Sequence, residues 1–382
     1  MLALGQALVR RGHEVCLQTW TRWREPVEAA GMLFAAAPEY QVFPTRDRPL
    51  KPYQAAVRAA RETAPLVAEL RPDAVVADIL TVAMALAGEL ERAPVATLVP
   101  HVFPITDPGF PPYSIGARLP RGALGRAAWR LTDPIVRRGL KQGRRELNET
   151  RERLGLAPRP WLHNGISREL CLVGTLPQLE YPREWPGWAR VVGPLLWEPP
   201  SEPVALPSGD LPLVLVAPST SQDPGHRLLR AALAGLAGEP VRVLATYNGR
   251  DPGPIDVPPN ATVVPWLSYA RTMPHCALVV CHAGHGTVAR ALSAGAAVLA
   301  CPDAGDQSEN AARIDWAGVG VRLPRRLVTP WALRLAVRRA LADPSMGRRA
   351  GALGAWAAAN DGAVRASEVL EQWVAGGPTR TR

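Results

Sequence analysis

Between positions 279 and 292 the chain reads VVCHAGHGTVARAL. An apolar run gives way at once to two histidines, two glycines and a threonine, and a helical pattern follows. Gly284 and Gly286 carry no side chain, so backbone N–H groups there can approach an anion closely. Thr287 can cap the helix or turn its hydroxyl onto a phosphate oxygen. The helix N-terminus adds partial positive charge. His282 and His285 bring further N–H donors on short side chains. The pattern predicts a phosphate cradle, although a structural glycine turn with incidental histidines explains it equally well when it is taken alone. It has neither the lysine of a Walker A loop nor the G-x-G-x-x-G spacing.

The next unit shifts the balance. The run AAVLACP ends at DAGDQSENAARI, which sets Asp306, Gln307 and Asn310 at the neighbouring strand end. A carboxylate and an amide together supply acceptors and donors for polyol hydroxyls. Phosphate donors beside a reader of hydroxyls describe a nucleotide sugar.

Residues 265–311, PWLSYARTMPHCALVVCHAGHGTVARALSAGAAVLACPDAGDQSENA, resemble the donor-binding signature of family 1 glycosyltransferases. These are the GT-B enzymes that include plant secondary-metabolite and bacterial macrolide glycosyltransferases. The resemblance implies that Trp266 lies against the nucleotide base and that His282 contacts the pyrophosphate. It sets Gly284, Gly286 and Thr287 at the phosphates and Asp306 and Gln307 on the sugar hydroxyls. Ser219 and Thr220, in VAPSTSQD, match a second phosphate-contacting turn. DGAVRASEVLEQWV resembles the terminal helix that packs back toward the N-terminal domain. Two positions depart from the family. Arg290 stands where many relatives have a glutamate on the ribose hydroxyls, and an arginine cannot accept those hydrogen bonds. Ala297 replaces a frequent proline. No D-x-D occurs, so no metal or other cofactor is expected, and the nucleotide sugar enters as a co-substrate.

Inverting transfer needs a base for the acceptor hydroxyl and stabilisation of the departing diphosphate. By resemblance the base is a histidine in a G-H-x-x-P-like loop between the first strand and first helix, oriented by an aspartate. Asp78, in VVADIL, matches that aspartate and is the catalytic residue expected here; helix capping is its bland alternative. The histidine has no counterpart. His13 falls after the first helix. His101, in VPHVFP, sits at a strand end beside the expected acceptor pocket and serves as base only if the cleft brings it to the sugar. MLALGQALVRRGHEV reads as the first helix itself, so Met1 is expected to be an internal methionine. A strand and loop of roughly 10–20 residues would then precede it. Without them the sheet is expected to have a gap, and turnover to be slight.

These residues need a scaffold. Continuous apolar runs such as DAVVAD, PVATLVP, LVLVAP and ALVVC alternate with helical patterns, the signature of parallel sheets covered on both faces. The fold class expected is α/β, GT-B, with two doubly wound Rossmann-like domains facing across a cleft. The N-terminal acceptor domain is expected over 1–195 and a proline-heavy linker over 196–211. The donor domain follows over 212–360, then the returning helix over 361–375. A long basic helix is read over roughly 126–154, with Arg137, Arg138, Lys141, Arg144 and Arg145 on a solvated face.

Composition bounds the rest. The chain has 382 residues, 47% of them hydrophobic and 20% charged, within the globular range. The net charge is +10, and Lys51 and Lys141 are the only lysines. Arginine-rich coding explains this dully. An anionic ligand or a peripheral membrane contact explains it functionally, and the absence of any recognition motif argues against nucleic acid. The five cysteines form no C-x-x-C pair and read as reduced thiols. With no signal peptide and no membrane-length apolar run, a cytoplasmic protein is expected. The expected function is an inverting hexosyltransferase using a UDP or dTDP sugar and a hydrophobic natural-product or lipid-like acceptor. A catalytically inactive binding or activator protein and a nucleotide-sugar epimerase of the same fold stand as alternatives. Sugar, nucleobase, acceptor and oligomeric state are not legible.

Overall fold

A computed structural model describes residues 1–38, 52–219, 223, 225–303 and 305–377 of the protein. The N-terminal half begins with α1 (Leu2–Arg10), β1 (Cys16–Thr19), α2 (Arg24–Ala29), β2 (Leu33–Ala36) and α3 (Pro52–Leu70). It continues with β3 (Val75–Asp78), α4 (Val82–Leu90), β4 (Val95–Val99), α5 (Ala123–Arg130), α6 (Asp133–Arg153), β5 (Leu170–Val173) and β6 (Ala189–Val191). The C-terminal half carries β7 (Leu213–Ala217), α7 (Arg227–Leu236), β8 (Arg242–Thr246), β9 (Ala261–Val264), α8 (Tyr269–Thr272), β10 (Leu278–Cys281) and α9 (His285–Ser293). It ends with β11 (Ala297–Ala300), α10 (Asp306–Ala317), β12 (Gly320–Arg322), α11 (Pro330–Leu341), α12 (Pro344–Ala359) and α13 (Gly362–Ala375). The proline-heavy stretch between Val191 and Leu213 carries no helix or strand.

The C-terminal sheet runs β12-β11-β10-β7-β8-β9, every pair parallel. All residues of β7, β10 and β11 are buried, which is why these runs are apolar without alternation. Close approach at its edge is enforced by Gly320, where a Cβ would collide with the Val298 carbonyl. Chain order turns back between β7 and β10. That reversal is the topological switch point, where the crevice beyond the strands' carboxyl ends takes ligands in doubly wound sheets.

The N-terminal half is interrupted. Strands β3-β4-β5-β6 form one parallel sheet, while β1 pairs only with β2. A cavity of about 550 Å³ separates the two sheets. Cys16, Leu17 and Gln18 of β1 line one side, Val75 and Val76 of β3 the other. The break falls where the sequence reading leaves a gap in the sheet. No residue of β1 or β2 is fully buried, whereas β5 is buried throughout.

The single basic helix expected over 126–154 is two helices, α5 and α6. The Thr132 hydroxyl donates to the Trp129 carbonyl at 2.7 Å, and Pro134 supplies no N–H, so the chain restarts at Asp133 instead of continuing. Helix α13 returns to the N-terminal half, where Ala363 packs with Ala3 and Ala7 of α1. Four of the five cysteines are buried, Cys16 is half-buried, and all are free thiols.

A buried ionic cluster joins the halves. Arg313 of α10 is fully buried. It donates to Glu309 at 2.7 Å, to the Leu179 carbonyl at 3.2 Å and to Glu180 at 3.4 Å, and its guanidinium lies 3.5 Å over the Tyr181 ring. Glu180 in turn accepts the Phe103 N–H at 2.7 Å. Burial raises the Glu180 pKa above the usual carboxylate range, with Arg313 opposing.

Candidate functional site

The switch point positions most of the residues singled out in the sequence. Strand β10 ends at Cys281, and Ala283 then adopts a left-handed φ of 64°. A side chain in that conformation stores strain, and such strain concentrates at functional turns. The Asn310 amide donates to the Ala283 carbonyl at 3.0 Å and so ties this turn to α10. A Cβ at Gly284 would meet the His282 ring, so a side chain there would displace the imidazole.

Helix α9 starts at His285 with Gly284 as an N-cap that offers no side-chain acceptor. The N–H groups of the first turn therefore have no helical partner. Helix α10 starts the same way after Gly305. The other long helices of this half carry their own caps. Asp223 accepts from the first turn of α7, and Thr329, Asp343 and Asp361 cap α11, α12 and α13. Gly286 is exposed, and a Cβ built on it meets nothing within 4 Å. Two helix N-termini without side-chain caps thus follow the adjacent strands β10 and β11.

A small pocket at this end of the sheet is lined by the polar Ser219, Asp223, Arg227, His282, Asp303, Gln307 and Arg325 and by the apolar Leu228, Cys301 and Val328. Gln307 is buried, and its Oε1 accepts the Asp303 N–H at 3.1 Å, which fixes the amide. Asp306 is exposed on the first residue of α10. Burial lowers the His282 pKa, against the Ala217 carbonyl and the carboxylates of Asp306 and Asp223, which pull the other way. Burial thus disfavours the charged imidazolium and leaves the ring as a hydrogen-bonding group. Trp266 is 44% exposed, leaving part of its indole open to stack on a ring. Thr220 lies outside the described residues. Arg325 pairs with Asp223 at 3.7 Å and with Asp303, and sequence reasoning missed all three. Asp223 lies 80 residues before Asp303 and 102 before Arg325, and the three meet only in the fold, which no local motif signals.

Arg290 takes a direction that the sequence left open. It donates to the Trp197 carbonyl and pairs with Glu198 at 3.6 Å. Glu198 also accepts the N–H groups of Tyr269 at 2.8 Å and Ala270 at 2.9 Å. Arg290 therefore braces the inter-half segment against α8. Burial lowers its pKa and Glu198 offsets this. We expect Glu198→Ala to cost about 2–4 kcal/mol in chemical denaturation, since it uncaps α8 and strands a largely buried guanidinium.

Across the cleft, His285 reaches from α9 to the Gly174 carbonyl at 3.2 Å. Burial drives its pKa down to about 4, so it is neutral and serves to join the halves. The His101 ring lies 6.4 Å from it, centroid to centroid. Its Nδ1 is 2.8 Å from the Val102 carbonyl. A carbonyl only accepts, so the proton resides on Nδ1 and the Nε2 lone pair is available. Asp78 ends β3, on the strand beside the one that leads to His101, and its Oδ1 accepts the Leu80 N–H at 2.9 Å in a local turn. His13 is paired with Glu371 at 2.8 Å on the surface, remote from this cleft. Among the described residues no group of His, Cys, Asp and Glu could hold a metal ion.

Residues 228–372 match the family described as erythromycin biosynthesis protein CIII-like, C-terminal domain. The chain is 29% identical over 411 residues to 4'-demethylrebeccamycin synthase of Lentzea aerocolonigenes, covering 97% of this chain and 95% of that protein. It is 34% identical over 244 residues to O-mycaminosyltylonolide 6-deoxyallosyltransferase of Streptomyces fradiae, where the match covers 60% of this chain and 56% of that protein. The crystal structure of the calicheamicin glycosyltransferase CalG4 superposes with a TM-score of 0.72 at 21% identity, over 98% of this chain and 94% of that one.

Proposed function

We propose that this chain, a GT-B glycosyltransferase carrying an erythromycin CIII-like C-terminal domain, moves a hexose from a UDP or dTDP sugar to a hydroxyl of a hydrophobic natural-product acceptor. One observation carries the donor half of this reading. Two helix starts without a side-chain cap, at His285 and Asp306, follow the adjacent parallel strands β10 and β11 at the switch point of the C-terminal sheet, beside a pocket that His282 and Gln307 line. In this reading the diphosphate lies on the N–H groups of residues 285–287 with the Thr287 hydroxyl, the His282 ring and Ser219. By the resemblance Thr220, outside the described residues, is proposed to add a second hydroxyl to the phosphates. The nucleobase stacks on Trp266, and Asp306 and Gln307 take the sugar hydroxyls. The 1–195, 196–211, 212–360 and 361–375 division assigns the donor to the third segment and the acceptor to the first.

Bond cleavage at the anomeric carbon leaves negative charge on the diphosphate, where the α9 amides and dipole stabilise it. The acceptor hydroxyl must lose its proton on the opposite side. In this reading His101, whose Nε2 has no hydrogen bond among the described residues, takes that proton, and Asp78 ends the neighbouring strand. The hydrophobic acceptor and the natural-product setting rest on the relatives' names. The test is incubation with dTDP- and UDP-hexoses and a polyhydroxylated hydrophobic acceptor, read by mass spectrometry. We expect the acceptor plus one hexose, with His101→Asn lowering kcat at least about 100-fold at unchanged donor Kd. Free nucleotide and an altered sugar without any acceptor would instead identify an epimerase. Donor binding with no turnover under any condition would point to a binding protein.

A further inference from the structure

Helix α5 has eight residues, and none of them is buried. A helix this short is marginal in water, and in folded proteins it is held by packing an apolar face. Here the apolar side chains point outward. Leu124 is 89% exposed, Leu131 is 80% exposed and Ile135 at the start of α6 is 76% exposed. Leu124 lies on α5, Leu131 between the two helices and Ile135 in the first turn of α6.

Cations surround them. Between residues 121 and 145 there are eight arginines and lysines and a single acid, Asp133. Arg137, Arg138 and Lys141 are exposed, and none has an acidic partner among the described residues. Among the described residues these three cations neutralise no carboxylate.

We propose that this face of α5 and α6 is a membrane-docking surface that seats the protein on an anionic lipid bilayer. Aliphatic side chains interleaved with arginine, on helices lying along the surface, are the chemistry of interfacial binding. The apolar residues enter the acyl boundary while the guanidinium groups meet lipid phosphates. A nucleic acid would engage the cations and leave Leu124, Leu131 and Ile135 in water. A protein partner requires shape complementarity, and these side chains protrude separately. No described helix is long and apolar enough to cross a membrane, so the attachment is peripheral. The inference is independent of the donor site.

The experiment is co-sedimentation of the full chain with phosphatidylcholine vesicles containing about one third phosphatidylglycerol, at about 150 mM salt. Because the chain is basic throughout, a charge-matched control is essential. Arg137→Glu with Arg138→Glu is expected to lower vesicle partitioning at least tenfold. Arg339→Glu with Arg348→Glu makes the same charge change on exposed positions of α11 and α12 and is expected to change it less than about twofold. The triple change Leu124→Ser, Leu131→Ser and Ile135→Ser is expected to weaken partitioning about tenfold with no loss of melting temperature, since these side chains are solvent-facing. Equal losses in the two charge variants would overturn the proposal, as would partitioning indifferent to the serine changes or no partitioning at all. A concentration-dependent dimer abolished by the serine changes would also overturn it, by assigning the face to a second copy.

Discussion

Gly286→Val is expected to weaken nucleoside diphosphate binding more than about 100-fold while leaving the melting temperature unchanged or slightly raised. Gly286 is the second residue of α9, is exposed, and a Cβ there contacts no other part of the protein. The valine methyls would occupy only the volume in front of the helix start. In the proposed site that volume is where the diphosphate oxygens come to reach the amides. Each charge-assisted hydrogen bond lost costs about 1.5–3 kcal/mol, so losing two exceeds a factor of 100 in Kd. Valine is also somewhat better than glycine within a helix. Affinity and stability should therefore move in different directions, a combination that a purely structural glycine turn would not produce. Isothermal titration with dTDP and UDP, paired with thermal unfolding, reads both.

Arg313→Met is expected to cost about 3–5 kcal/mol at pH 7, by denaturant unfolding. Its guanidinium is fully buried between Glu309 and Glu180 and stacked on Tyr181. Methionine fills part of the volume and leaves the carboxylates without their cation. The pH dependence gives a second readout. Glu180 already has a raised pKa in the folded protein, chiefly from burial. Without Arg313 it rises further. An acid whose folded pKa exceeds its unfolded value destabilises the fold above that folded pKa, and the cost disappears as pH falls below the unfolded value. The deficit of Arg313→Met should therefore shrink as pH is lowered from 7 toward the carboxylate range. Arg313 also holds α10 against the N-terminal half, so kcat should drop more than donor affinity.

What was legible in the sequence follows from how local each feature is. Strands β7, β10 and β11 announce themselves because burial on both faces demands unbroken apolar runs. The turn proposed to hold the donor was legible because a helix start that could face an anion needs contiguous glycines, a threonine and a histidine. The break between α5 and α6 was missed because both segments share one helical composition, and a single threonine hydroxyl with Pro134 decides the matter. The Arg325 pairs with Asp223 and Asp303, the inward turn of Arg290 onto Glu198, and the reach of His285 to Gly174 are long-range contacts. Side-chain type alone permits each of them and dictates none. The Arg313 cluster was likewise hidden, since the residues around it look like the solvated charges of an ordinary helix.

The most direct measurement is a crystal structure of the chain grown with dTDP. The diphosphate is expected about 3 Å from the N–H groups of Gly286 and Thr287, with His282 beside it and the thymine on Trp266. A diphosphate bound elsewhere, with the helix start at His285 left to water, would contradict the donor site at the switch point of the C-terminal sheet.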